Sequence, residues 1–166
     1  MGTDAHRAAA AGTDVVIGVL TVSDSRSPDD DVNGDYLKER IAAAGATVGG
    51  YAVVRDEPAD VRATVERLVE TCRIVIVNGG TGISRRDSTY DALAGMLEKT
   101  LPGFGELFRM LSWEQVGSAA MLSRATAGTF RGSVVISTPG SPKAVKLAWE
   151  KLIEPELQHL AWELTR

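Results

Sequence analysis

Residues 78–93 read NGGTGISRRDSTYDAL, directly after the apolar run RIVIV at 73–77. A strand that empties into a glycine turn brings backbone amides close to a bound anion. This turn offers Gly79, Gly80, Thr81 and Gly82, then the basic pair Arg85 and Arg86, then the carboxylate of Asp87. Amides, a hydroxyl, positive charge and a carboxylate suit a site for phosphate with a divalent cation. Two familiar glycine signatures do not fit. A dinucleotide turn needs a third glycine at G-x-G-x-x-G spacing, and a P-loop needs a lysine after its glycines. Neither is present.

Related groups follow the other apolar runs. Ser23, Asp24 and Ser25 follow the first run, Arg55, Asp56 and Glu57 the second, and Thr138, Pro139, Gly140 and Ser141 the last. In open α/β sheets, ligands sit beyond the carboxyl ends of the strands, so these groups should share one rim. Each also has a plainer reading. Asp24 and Asp56 fit caps or turns, the glycines fit a sharp turn, Asp87 fits a helix cap, and Arg85 and Arg86 fit a solvated face. Their coincidence on one rim is what favours a site.

The elements that must position these groups alternate. DVVIGVLTVSD (14–24) is apolar and β-branched with little alternation, which suits a strand buried on both faces. A helix capped by Asp31 or Asn33 runs to about Ala44, with Leu37, Ile41 and Ala44 on one face and Gly45 closing it. A second strand covers 47–57. Pro58 starts a helix whose stripe is Val61, Val65, Leu68, Val69 and Cys72. RIVIVN is the third strand. These β–α repeats predict a three-layer α/β/α fold with a mostly parallel central sheet. Beyond it the spacing predicts a helix over 91–100, a short helix over 103–112, and loop, short helix and part of a hairpin over 116–132. A last strand over 133–137 leads to a helix from Pro142, interrupted at Pro155. Residues 1–13 read as a flexible leader and 14–166 as a single domain.

The chain has 166 residues, 44% hydrophobic and 24% charged, with formal net charge −4 and mixed charge signs. This balance argues against nucleic-acid binding, which favours a basic stripe. No apolar run reaches the length of a membrane span. A lone cysteine, Cys72, excludes a disulfide framework within the chain and fits a reducing, cytoplasmic setting; it reads as a small buried hydrophobe. The only histidines, His6 and His159, lie in the leader and on the terminal helix. That weakens any reading that needs a histidine base or a histidine-rich metal site.

The motifs resemble the MogA/MoaB family of molybdenum-cofactor biosynthesis, related to the G domains of gephyrin and plant Cnx proteins. The resemblance rests on GGTG with RDST and on TVSDS, VRDE, PGFGELFR, LSRATAG and TPGSPKAV, in order over about 15–152. The segment LSWEQVGSAAMLSRATAG looks closer to MoaB than to MogA. The resemblance implies a molybdopterin-binding α/β domain assembled as a homotrimer or homohexamer, working with a molybdenum-insertase partner. It implies adenylylation of molybdopterin: the terminal phosphate of the pterin attacks the α-phosphorus of MgATP and pyrophosphate leaves. Asp56 and Asp87 match the family's functional aspartates, assigned to catalysis and Mg²⁺. Gly79, Gly80, Thr81 and Gly82 match the loop that receives substrate phosphates, and Pro139, Gly140, Ser141 and Pro142 a second binding loop. Ser123 and Arg124 match a Ser-Arg motif in which Arg124 contacts phosphate or pterin, and Asp24 and Glu106 match further motif positions. Tyr90 and Asp91 stand where many relatives have proline and glutamate. The MoaB-like segment keeps a second reading open, a non-catalytic molybdopterin carrier or scaffold.

Overall fold

The computed structural model describes residues 2–165. Strand burial explains the order of the sheet. β3 (Ile74–Asn78) and β6 (Ser133–Thr138) are buried along their whole length, and β1 (Val16–Val22) nearly so. These lie inside the sheet, whereas β2 (Thr47–Val54) is partly exposed and lies at an edge. The order is β2-β1-β3-β6-β5-β4. The first four strands are parallel; β5 (Thr126–Phe130) and the short β4 (Lys99–Thr100) run antiparallel. The expected three-layer, mostly parallel α/β architecture is the one observed.

Helices cover both faces. On one, α2 (Val32–Ala43), α5 (Pro102–Val116), α6 (Pro142–Ala148) and α7 (Leu157–Glu163) enclose a core containing Leu37, Ile41, Phe108 and Trp149. On the other, α3 (Pro58–Val69) and α4 (Thr89–Ala94) pack Val61, Val65, Leu68 and Leu93 against β1 and β3. The chain thus leaves β1 toward one face and β3 toward the other. Such a divergence opens a crevice at the carboxyl ends of adjacent parallel strands. Cys72 is buried beneath the sheet, and a Cβ at Gly49 would come within 2.8 Å of its sulfur.

Three expectations differ from the structure, and one open pair is resolved. The helix expected over 91–100 spans only Thr89–Ala94. Ala92, Leu93, Met96 and Leu97 have helical spacing, but the chain turns at Gly95 and joins the sheet. Glu98 N–H donates to the Thr129 carbonyl at 2.8 Å, and Leu101 N–H to Ala127 at 2.7 Å. The short helix expected over 103–112 is instead the 15-residue α5. Asn33 does not cap α2; it lies inside the helix as a buried amide, and Asp31 occupies the cap position. The leader region contains helix α1 (Thr3–Ala10), which packs on α7 and buries Ala10. Pro155 does interrupt the last helix, through a π-helical turn at Trp149–Ile153 and a 3₁₀ turn at Glu154–Glu156. Among the described residues no helix is long and apolar enough to cross a membrane.

Candidate functional site

The crevice is a cavity of about 740 Å³, within the range of small-molecule sites. Gly79, Gly80, Thr81, Gly82 and Asp87 line it from the β3 end, and Pro139, Gly140 and Ser141 from the β6 end. Ser23, Ser25 and Arg26 contribute from the β1 end, and Ser123 closes another side. The opposite wall, from α5 and the 3₁₀ segment Gly117–Leu122, is largely apolar: Phe108, Val116, Ala119, Ala120 and Leu122. One side is therefore polar and glycine-rich, and the other suits a flat or greasy ligand surface.

Two glycines are required by their surroundings. Gly79 has φ +106°, and a Cβ there would lie 2.1 Å from the Val22 carbonyl oxygen. Gly80 has φ +67°, and a Cβ would meet Thr89 Oγ1 at 2.0 Å and Asp56 Oδ2 at 2.5 Å. The two loops also approach each other backbone to backbone: Gly79 N–H donates to the Thr138 carbonyl at 3.0 Å.

Beneath them lies a floor of neutral groups. Asn33 Nδ2 donates to Asn78 Oδ1 and to the Gly140 carbonyl, both at 2.8 Å. Asn78 Nδ2 donates to Thr21 Oγ1 at 2.9 Å. Asn33, Asn78 and Thr21 are all buried. One amide network thus ties β1, β3, the start of α2 and the Pro139–Ser141 loop together.

The charged groups divide into two sets. Asp87 reaches the cavity, with Oδ2 accepting from Ser84 N–H at 3.1 Å and from the Ser84 hydroxyl. Asp56 is buried behind the glycine loop. Its Oδ1 accepts from Ser88 Oγ at 2.8 Å, Thr89 Oγ1 at 3.1 Å and Ser88 N–H at 3.2 Å. Asp24 lies on the outer rim. Its Oδ1 accepts from Asp56 N–H at 3.1 Å, and Arg86 grips it through Nε at 2.6 Å and Nη2 at 2.9 Å. Arg86 also pairs with Glu57 at 2.6 Å, so it is a rim clasp and not a free solvated charge. The bonds from Arg86 and from the Asp56 amide lower the Asp24 carboxyl to about 2.

Arg124 is likewise engaged. It donates to the carbonyls of Gly82 at 2.6 Å, Thr81 at 3.2 Å and Asp87 at 3.3 Å, and pairs with Asp91 at 3.0 Å. Its guanidinium sits 4.7 Å from the centre of the Tyr90 ring. It brackets the glycine loop from outside and, with Glu106, lines an adjoining pocket that shares Ser123 with the main cavity. Pro142 begins α6 just behind Ser141, whose side chain caps that helix by accepting from Ala144 N–H.

The cations lining the main cavity are Arg26 and Lys143, neither of them singled out from sequence. Lys143 falls within TPGSPKAV, one residue past the proline of that motif, and its position beside a glycine loop was the available signal. Arg26 sits in polar turn sequence that offers none.

A mostly parallel α/β sheet whose strand ends carry paired glycine loops, with one inward carboxylate among the described residues, marks a small-ligand-binding α/β protein. A model of the probable molybdopterin binding domain matches residues 18–159. The molybdenum cofactor biosynthesis protein B of Bacillus anthracis is 46% identical over 151 residues, covering 89% of each chain. A crystal structure of a molybdenum cofactor biosynthesis protein B superposes with TM-score 0.90 at 44% identity, covering 93% of this chain and 98% of that one. The tungsten cofactor synthesizing protein MoaB from Pyrococcus furiosus superposes with TM-score 0.85 at 34% identity, covering 94% of this chain and all of that one. The chain belongs to the MogA/MoaB family of molybdopterin-binding domains.

Proposed function

We propose that this chain acts in molybdenum-cofactor biosynthesis as a molybdopterin adenylyltransferase. The observation that carries this reading is the single cavity shared by both glycine loops, Ser123 and the Asp87 carboxylate. In the reaction, a terminal phosphate oxygen of molybdopterin bonds to the α-phosphorus of ATP. The bond from that phosphorus to the bridging oxygen breaks, and pyrophosphate leaves with the electron pair. The attacking phosphate is already ionised at neutral pH, so no histidine or cysteine base is needed. The demand is to hold two polyanions in line.

The polar side of the cavity answers that demand. Gly79–Gly82 and Gly140 let phosphates approach the backbone, Arg26 and Lys143 offset their charge, and the apolar wall receives a ring. Asp87 is the one carboxylate lining this cavity among the described residues. That donor set fits Mg²⁺, which uses one or two carboxylates together with substrate phosphates. Asp87 would hold the ion, which when bound neutralises phosphate charge. Asp56 contributes by fixing the turn that presents Asp87.

One observation favours the second reading, a molybdopterin carrier or scaffold without turnover. Asp56 and Arg124 are both committed to holding the loop, which leaves few charged groups for chemistry. Leu107, Met110 and Trp113 are exposed along α5, with Met121 close by in sequence, which supports a homo-oligomer. Transfer of the product to an insertase completes the proposed role.

Purified protein with MgATP and molybdopterin should release pyrophosphate and form adenylyl-molybdopterin. Tight pterin binding with no ATP-dependent product would overturn the enzymatic reading in favour of the carrier. Light scattering should give a trimeric or hexameric mass, and a monomeric mass would sink the assembly reading.

A further inference from the structure

The two histidines lie far apart in sequence, yet the fold brings them together. His6 on α1 and His159 on α7 have ring centroids 5.9 Å apart. Glu163 lies one helical turn beyond His159 on the same face, as i,i+4 spacing requires. His6 Nδ1 is 2.8 Å from Glu163 Oε1, and His159 Nε2 is 3.4 Å from the same oxygen. One donor atom from each of the three residues falls within 4.8 Å of the others.

We propose that His6, His159 and Glu163 form a site for a divalent transition-metal ion of the zinc class, bridging α1 and α7. Zinc bonds of about 2.0–2.2 Å in tetrahedral geometry place donor atoms about 3.4 Å apart. The separations to Glu163 Oε1, 2.8 and 3.4 Å, lie at or below that value, and the remaining adjustment needs only rotation of side chains. Two imidazoles and one carboxylate select zinc, nickel or cobalt over magnesium and calcium. Three protein donors leave a position for water.

The surroundings are those of a metal ligand. Glu156 Oε2 lies 2.8 Å from His159 Nδ1 and accepts its proton, and Arg7 in turn pairs with Glu156. A histidine whose far nitrogen is bonded to a carboxylate presents its other nitrogen with a lone pair, and ligating histidines are commonly held this way. That other nitrogen, Nε2, is buried and makes no hydrogen bond among the described residues; it faces Glu163 Oε1 at 3.4 Å. Trp162 packs edge-on against His6, with ring centroids 5.4 Å apart. None of the three residues lines the 740 Å³ cavity, so this site is separate from the proposed reaction. A bound ion would pin α1 onto α7.

The test uses the full chain without an added histidine tag, stripped with chelator and titrated calorimetrically with Zn²⁺ and spectroscopically with Co²⁺. The expected result is saturable 1:1 binding, the absorption of low-coordinate Co²⁺, no competition by Mg²⁺, and a Zn²⁺-dependent rise in Tm. His6→Ala, His159→Ala and Glu163→Gln should each weaken binding at least about tenfold, and Glu156→Gln by about ten- to a hundredfold. Absence of saturable Zn²⁺ binding, or equal binding by the parent and the histidine variants, overturns the proposal. Should His159→Ala fail to fold, His6→Ala on the peripheral α1 decides the matter alone.

Discussion

The Asp56 carboxylate accepts the Ser88 hydroxyl at 2.8 Å, which fastens the end of β2 to the start of α4. The two aspartates matched to the family motif therefore do different work. Asp56 shapes the loop, and Asp87 faces the cavity. Asp56→Ala should orphan the Ser88 amide and the Thr89 hydroxyl, each at a cost of about 1–3 kcal/mol, and lower Tm along with activity. Asp87→Asn should keep Tm and lower kcat by about 10²–10³-fold, the usual cost of losing one electrostatic stabiliser. Thermal melts beside turnover assays separate the two. Equal melts for both variants would show that Asp56 has no loop-shaping role.

Gly80→Ala tests the turn. A left-handed backbone costs a non-glycine residue roughly 1–2 kcal/mol, and the new Cβ would also press on Thr89 and Asp56. Chemical denaturation should give a loss of at least that size. Binding of ATP should weaken in parallel, as read by calorimetry.

Arg124→Lys tests the bracket. A lysine cannot span three carbonyls as a guanidinium does. Hydrogen exchange should quicken across residues 79–88 while β1, β3 and β6 keep their protection. An exchange pattern matching the parent would mean that the loop does not depend on Arg124.

The rim clasp should be visible in acid. Asp24 has its carboxyl lowered from 3.8 to about 2 by Arg86 and by the Asp56 amide. A lowered folded-state value means that its contribution is complete above about pH 4 and is lost as pH falls through about 2. An NMR titration of the Asp24 carboxyl should give a midpoint near 2. In Arg86→Ala it should return toward the ordinary aspartate value, since that side chain is the largest cause of the shift.

Much of this was legible in sequence because its causes are local. Continuous apolar runs marked buried strands, and glycines and carboxylates at their ends marked the rim. Asp87, both glycine loops and Ser123 do meet at one cavity. What escaped notice depends on contacts distant in sequence. Helix α4 stops early because the residues after it pair with β5, which spacing alone cannot reveal. The resemblance assigns Arg124 to phosphate or pterin, and nothing near it in sequence announces its bonds to carbonyls some forty residues earlier. His6 and His159 look isolated because the packing of α1 on α7 joins opposite ends of the sequence.

The amide network of Asn33, Asn78 and Thr21 has one further consequence. Its members neither gain nor lose a proton over roughly pH 3–9, and bonds between neutral groups carry little of the salt sensitivity of the charged rim. The cavity therefore has an electrically inert keel. Any drift in ligand affinity with acidity or ionic strength is a signal from the rim and the ligand, measured against a scaffold that holds still.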